Sequence, residues 1–332
     1  MKFGYFVSPQ FSPDQDIGQA IANMAAQVRA ARAAGFESIW VPQHFLTHPM
    51  RMFQPHELLA RLSAEAEGMR LGTGILLLSM QNPVAIAEQA VTLDWMSEGG
   101  YVLAAGMGYR NAEFQALGVP MKQRVGRLVE GIELIRRLWR EERVTHHGKY
   151  FHVEDCGLSL RPRDPEGCGL WVGGAAEPAI QRAAKIADSW LGSFTSGLPA
   201  LQGMYATYRD ALAAESAPNS PTEGETPLCR ECFVGPSDAL AAATARGPIV
   251  GKYAAYDSWY NKLSGGLDET FDAERDDKFL IGDSAHVRDL VSQYRDELGV
   301  STLLLRMSWP GLDHAQTCDS IERFGDIIRD FA

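Results

Sequence analysis

Apolar positions along this chain fall into short solid runs that alternate with longer stretches of helical spacing. The solid runs cover residues 2–8, 36–41, 70–78, 101–106, 170–173, 188–193, 228–234 and 301–307, and each reads as a buried strand. Between them, Ile21, Met24, Ala25, Val28 and Ala31 recur at helical spacing and predict a helix over 17–34, with Gly35 as the residue that stops it. The same reading gives helices from 55, over 84–97 (after Asn82-Pro83 and before Gly99-Gly100) and over 122–140, with Leu128, Ile132, Ile135 and Leu138 inward. It also gives helices over 177–187, 198–214, 237–246, 284–298 and 314–330. Two stretches break the alternation: 143–168, which begins as a β-hairpin, and 248–281, rich in Tyr, Trp and Gly. The expectation is one domain, 1–332, of eight strand–helix units with these two insertions. Sequential parallel pairing makes it an α/β protein of the closed (β/α)8 TIM-barrel type rather than an open doubly wound sheet. No GxGxxG follows the first strand, and Gly106-Met107-Gly108 lacks the third glycine of a dinucleotide fingerprint.

Composition narrows the function classes. The chain has 332 residues, 45% hydrophobic and 22% charged, as an ordinary globular protein does, and a formal net charge of -11. That acidity argues against nucleic acid or an anionic membrane surface as partner. No apolar run approaches the length of about 18 residues needed to span a bilayer. The start, MKFGYFVSPQ, lacks the apolar core of a secretory signal and reads as the first strand, so the expected location is cytoplasmic. The five cysteines suggest no disulfide framework. Cys229 and Cys232 form a CxxC on a strand, where residues three apart face opposite ways, so shared metal ligation is not expected.

Candidate chemistry gathers just past the carboxyl ends of the strands, where barrels of this type place it. His44 follows the second strand, and its imidazole can move protons near neutral pH; the alternative is a satisfied structural histidine. His44-x3-His48 would be metal spacing on a helix, but Pro42 and Pro49 bracket it, and no metal is expected. Trp171-Val-Gly-Gly-Ala-Ala-Glu-Pro reads as strand, glycine turn and helix start, a geometry that suits a phosphate as well as an ordinary turn. Arg124 and Arg127 open the long helix and offer cations for that phosphate, although exposed helix charge is the alternative for at least one of them. Gly72 and Gly74 inside a strand suggest that something flat lies against it, such as a ligand ring.

The stretches KFGYF, AARAAGFESIWVPQHF, RLGTGILLLSMQNPVAIAEQAVTLDWMSEGGYVLAAGMGYRNAEFQALGVP, VTHHGKYFHV, LWVGGAAEPAIQRAAKIADSWL and GVSTLLLRMSWPG together resemble the bacterial luciferase-like flavin monooxygenase family. The resemblance covers nearly the full chain and implies a (β/α)8 barrel that binds FMN, or the deazaflavin coenzyme F420, at its C-terminal face. It makes His44 the histidine of proton chemistry at the flavin. It makes Thr73-Gly74-Ile75 a segment with a non-prolyl cis peptide under the ring, and 173–179 the phosphate turn, with Gly173, Gly174, Ala175 and Ala176 as contacts. The chain departs from the family in places. Met107 stands where luciferase has a phosphate-binding arginine, and Ala175, Ala176 and Ala179 replace hydroxyl side chains. Phosphate binding would then rest on backbone N–H groups and Arg124, with Arg110 as a further candidate. His48 and Tyr109 stand where deazaflavin members that oxidise sugar phosphates carry Trp and Glu.

The reading is therefore an FMN-dependent monooxygenase using reduced FMN from a partner flavin reductase, and O2, to oxygenate a small, largely apolar organic substrate. The rivals are an F420-dependent oxidoreductase working by hydride transfer and a non-catalytic flavin carrier. The substrate is expected against Met52 and Phe53 of the loop after the second strand, and against Tyr253, Tyr256 and Trp259 of the second insertion, with Arg306 closing the pocket or binding a carboxylate; a structural salt bridge is the equal alternative for Arg306. For the Tyr/Trp set, helical packing is the alternative. A homodimer formed through the helices after the second and third strands is expected from the family.

Overall fold

The computed structural model describes every residue except Ser193, 215–223, 258–265 and Ala332. Nine parallel strands form one curled sheet: β1 Lys2–Phe6, β2 Ser38–Val41, β3 Arg70–Thr73, β4 Tyr101–Ala105, β5 Gly169–Gly173, β6 Ser189–Leu191, β7 Pro227–Val234, β8 Leu280–Gly282 and β9 Thr302–Arg306. Their spatial order is β6-β5-β4-β3-β2-β1-β9-β7-β8. Just past β6, Gly192 bridges in parallel to Leu228 of β7, with its N–H on the Pro227 carbonyl at 3.1 Å. The curl thus brings β6 beside β7.

Alternation along the strands divides the core. Phe6, Trp40, Val102, Ala104, Trp171, Cys229 and Leu304 pack together inside the curl. Tyr5, Ile39, Leu71, Leu103, Val172, Cys232 and Leu305 belong to the larger core under the helices. This is the two-residue period of a strand buried on both faces. It also puts Cys229 and Cys232 on opposite faces, as expected of their spacing. The Trp40 and Trp171 rings stack inside at 4.6 Å between centroids.

The first helix, Ile17–Ala34, is capped by the Asp16 carboxylate on the Gln19 N–H at 2.8 Å and ends at Gly35, whose φ of 97° is the left-handed geometry that glycine adopts without cost. The long helix Arg124–Arg140 buries Leu128, Ile132, Ile135 and Leu138, as its pattern requires. The first insertion folds as a hairpin of Val144–His147 and His152–Cys156.

Three expectations are corrected. The third strand stops at Thr73 instead of 78: the Gly74–Ile75 peptide is cis, and Leu78–Met80 form a 3-10 turn. Residue 248 does not begin an excursion, because the helix Asp238–Asp257 continues through Pro248. Residues 280–282 add β8, an unforeseen strand, alongside the second half of β7. The flat groups against the third strand are also the protein's own: a Cβ at Gly72 would lie 2.4 Å from the Trp40 ring, and one at Gly74 would lie 2.5 Å from Phe6. No helix among the described residues is long and apolar enough to cross a membrane.

Candidate functional site

A cavity of about 560 Å3 opens at the carboxyl ends of the strands, a size that suits a small-molecule ligand. Its wall takes Pro42, Gln43 and His44 after β2, Gly74, Ile75 and Leu77 after β3, and Met107, Gly108 and Tyr109 after β4. Gly173, Gly174 and Ala175 follow from β5, Glu231 from β7 and Arg306 from β9, while Lys252, Tyr253 and Tyr256 come from the helix Asp238–Asp257.

His44 is held from behind. Its Nδ1 lies 3.2 Å from Oε1 of Glu113, which is fully buried in the first turn of the helix Asn111–Ala116. The same oxygen accepts the Phe45 N–H at 2.9 Å and the Arg110 guanidinium at 3.2 Å. Burial pushes the Glu113 carboxyl up, but these donors outweigh it and hold the group below its ordinary range. A carboxylate only accepts, so it fixes the proton on Nδ1 and leaves Nε2 as the acceptor, 3.5 Å from the Tyr109 hydroxyl. That is the tautomer a proton-transfer histidine requires.

The cis Gly74–Ile75 segment forms an apolar ledge braced by Gln43. The Gln43 N–H donates to the Ile75 carbonyl at 3.2 Å, and its side-chain Oε1 accepts the Leu77 N–H at 3.0 Å. Small neighbours let Ile75 sit low: a Cβ at Gly106 would lie 2.1 Å from Ile75 Cδ1, and one at Gly173 would lie 3.2 Å from its Cγ2.

Beyond the ledge, Gly173-Gly174-Ala175 lead into the helix Glu177–Ile186, whose N-terminus has no side-chain cap. Such a terminus presents unsatisfied N–H groups and a positive dipole end. Arg124 lines the cavity and makes no hydrogen bond or ion pair with the described residues. Arg182, on the helix that follows the turn, reaches Sδ of Met107 at 3.9 Å, which places a cation beside that methionine.

A charged cluster forms another part of the wall. Glu231 is fully buried. Its Oε1 takes the Lys252 ammonium, the Tyr253 hydroxyl at 3.1 Å and the Arg306 guanidinium at 3.4 Å, and its Oε2 takes the Trp309 indole N–H at 2.5 Å. Burial and the nearby Arg306 bring the Lys252 ammonium down to about 7, against the pull of Glu231.

Of the residues singled out from sequence, His44, Gly74, Ile75, Met107, Arg124, Gly173, Gly174, Ala175, Tyr253, Tyr256 and Arg306 line this one cavity. Others do not. Thr73 is buried, with its hydroxyl on the Ala104 carbonyl. Arg110 is not in the cavity lining, and its guanidinium donates to Glu113 and to the Phe45 and Leu46 carbonyls. Ala176 is the exposed N-cap of its helix and is not in the lining. Met52 pairs with Gln10, and Phe53 packs on Phe11 at 5.1 Å. Arg127 is tied to the Ser79 carbonyl at 2.7 Å. Trp259 lies outside the described residues. Sequence reasoning missed Gln43, Glu113, Arg182, Glu231 and Lys252. An acid three residues after Arg110 was the one signal for Glu113 in the sequence, which does not show its burial.

A family model described as luciferase-like monooxygenase matches residues 1–302. An F420-dependent glucose-6-phosphate dehydrogenase of Kineococcus radiotolerans is 31% identical over 208 residues, 60% of this chain and 58% of that protein. The chain spans between half and about three-fifths of the length of the first curated relatives it matches. The monooxygenase RslO1 from Streptomyces bottropensis superposes with a TM-score of 0.87 at 22% identity, covering 100% of both chains. The oxygenating constituent of 3,6-diketocamphane monooxygenase from Pseudomonas putida, a type II Baeyer-Villiger monooxygenase solved with FMN, gives a TM-score of 0.77 at 19% identity over 99% of this chain and 97% of its own.

Proposed function

The chain belongs to the luciferase-like monooxygenase family, and from that premise we propose that it is an FMN-dependent monooxygenase fed with reduced FMN by a separate flavin reductase. The observation that carries this reading is a single cavity joining the Gly74–Ile75 ledge, the Gly173–Ala175 turn beside Arg124, and His44. These residues fit a flavin: the ledge is flat and apolar, and the turn offers backbone N–H groups together with an unpaired arginine. When bound, reduced FMN supplies the electrons that activate O2.

The chain's own residues do the rest. Ile75 and Leu77 carry the ring, and Gln43 keeps their backbone in place. The turn, Arg124 and Arg182 hold the phosphate, with Arg182 standing in for the arginine absent at Met107. His44 moves the proton through Nε2, its tautomer set by Glu113. Tyr253 and Tyr256 help to exclude water from a small, largely apolar substrate. We read the sheet as a closed (β/α)8 barrel, on the Gly192–Leu228 bridge, and the chain as one domain. We also assign a homodimer through the helices Pro55–Leu62 and Pro83–Met96; Trp95 and Met96 are more than half exposed at the end of the latter.

The second reading, F420-dependent hydride transfer, is favoured by the relative from Kineococcus. The test is an anaerobic titration with reduced FMN and with reduced F420, followed by absorbance and then by admission of air. Tighter binding of reduced FMN with oxygen-dependent spectral change supports the monooxygenase. Tighter binding of F420 without it makes hydride transfer the function.

A further inference from the structure

The cluster around Glu231 has one carboxylate and two cations, and it faces the cavity. Glu231 already receives donors from Lys252, Tyr253, Arg306 and Trp309, so it has little capacity left. Arg306 is 6% exposed, and its Nε is buried with no acceptor among the described residues. Its Cζ lies 4.6 Å from the ring centroids of both Phe6 and Phe194, which pack edge-to-face on each other 5.0 Å apart, contacts that hold the guanidinium without satisfying that N–H. An unmade bond on a buried charged group is costly, and such a group in a native fold calls for a partner. The chain as a whole is strongly acidic, yet this patch of the wall carries surplus positive charge beside apolar surface.

The geometry points to Lys252 and Arg306 as the binding site for an ionised oxygen of the substrate. The substrate class is then an organic anion, a carboxylate or an acidic enol or phenol, on an otherwise apolar frame. This rests on the reading of the cavity as a flavin and substrate site, and it names the substrate class of that site. A bound anion adds to the pull of Glu231 and restores to the Lys252 ammonium the stabilisation that burial and Arg306 remove.

The probes are acetate, benzoate, para-nitrophenolate and the neutral benzamide, titrated calorimetrically into wild type, Lys252→Gln and Arg306→Gln. Lys252→Gln keeps a donor for Glu231, and circular dichroism checks that each variant is folded. At least one anion is expected to bind wild type about tenfold more tightly than either variant, the loss of one charge-assisted contact. Benzamide is expected to bind all three alike. Preference for benzoate identifies a carboxylate site; a lowered pKa of bound para-nitrophenol, read by absorbance, identifies an enol or phenol site. The proposal is overturned if no anion binds wild type, or if the folded variants bind the anions as well as wild type does. Reduced FMN is titrated into the same samples. Wild type that selects anions but does not bind FMN refutes the flavin reading alone, and wild type that binds FMN without selecting anions refutes this one alone.

Discussion

Replacing Glu113 by Gln changes one buried atom and tests how His44 is held. Oε1 of Glu113 collects the His44 ring N–H, the Phe45 N–H and the Arg110 guanidinium. With a neutral acceptor, the bonds from His44 and Phe45 lose their charge assistance, about 1 kcal/mol each, while Arg110 retains its own charge. Oε2 of Glu113 has no partner among the described residues, so the new amide nitrogen would be buried without an acceptor, at a further cost of about 1 kcal/mol or more. The expected loss is about 3 kcal/mol for Gln, and ~3–5 kcal/mol for Ala, which leaves Arg110 without its counter-charge. Urea unfolding at neutral pH reads this as a lower midpoint at unchanged slope. The sign of its pH dependence is fixed. The folded Glu113 carboxyl sits below its ordinary 4.5, so its stabilisation is complete above that value and is lost as pH falls through the folded value. The gap between wild type and Glu113→Gln must therefore close in acid. A Gln variant within about 0.5 kcal/mol of wild type at neutral pH, the range of ordinary surface substitutions, would refute the account.

Three further outcomes follow from the same site. His44→Ala should lower turnover roughly 100-fold or more while leaving the affinity for reduced FMN unchanged, as measured by oxygen consumption and by equilibrium titration. Arg124→Met should weaken FMN about tenfold, about 1.4 kcal/mol, and leave riboflavin unaffected; equal weakening of both would show that this arginine does not serve a phosphate. Gly106→Ala would bring a methyl to 2.1 Å from Ile75 Cδ1; it should cost about 1–3 kcal/mol of stability as an overpacked core and reduce flavin affinity by tilting the ledge, both read by denaturant and fluorescence titrations.

Local pattern carried most of the framework. The helix Ile17–Ala34 and its Gly35 stop follow from spacing and one special backbone angle, both visible in neighbouring residues. The same logic, applied further, would have kept the helix Asp238–Asp257 intact: Ala241, Ala245, Ile249 and Tyr253 continue at intervals of four through Pro248, and their burial overrides the breaker. The glycines of 72–74 were correctly read as places of close approach, but the sequence does not say what approaches, and Trp40 and Phe6 took the space. The site divides in the same way. The position of His44 past a strand end was legible, whereas its partner Glu113 lies 69 residues away. Glu231 is hidden by its own strand: Cys229, Glu231 and Phe233 share a face, and nothing near them announces Lys252, 21 residues on, or Arg306, 75 residues on.

The two buried carboxylates show how one wall separates scaffolding from recognition. Glu113 stands behind His44, and Arg110 beside it donates to two carbonyls and to Glu113 itself, so the pair serves to orient the imidazole that lines the cavity. Glu231 stands in the wall, and its two cations exceed what one carboxylate can neutralise. Charge is balanced where orientation is needed and unbalanced where a ligand must be drawn in. An arginine such as Arg306, packed against two aromatic rings with one buried N–H unspent among the described residues, is thus better explained by recognition of an anion than by stability, since a buried ion pair by itself contributes little net stabilisation.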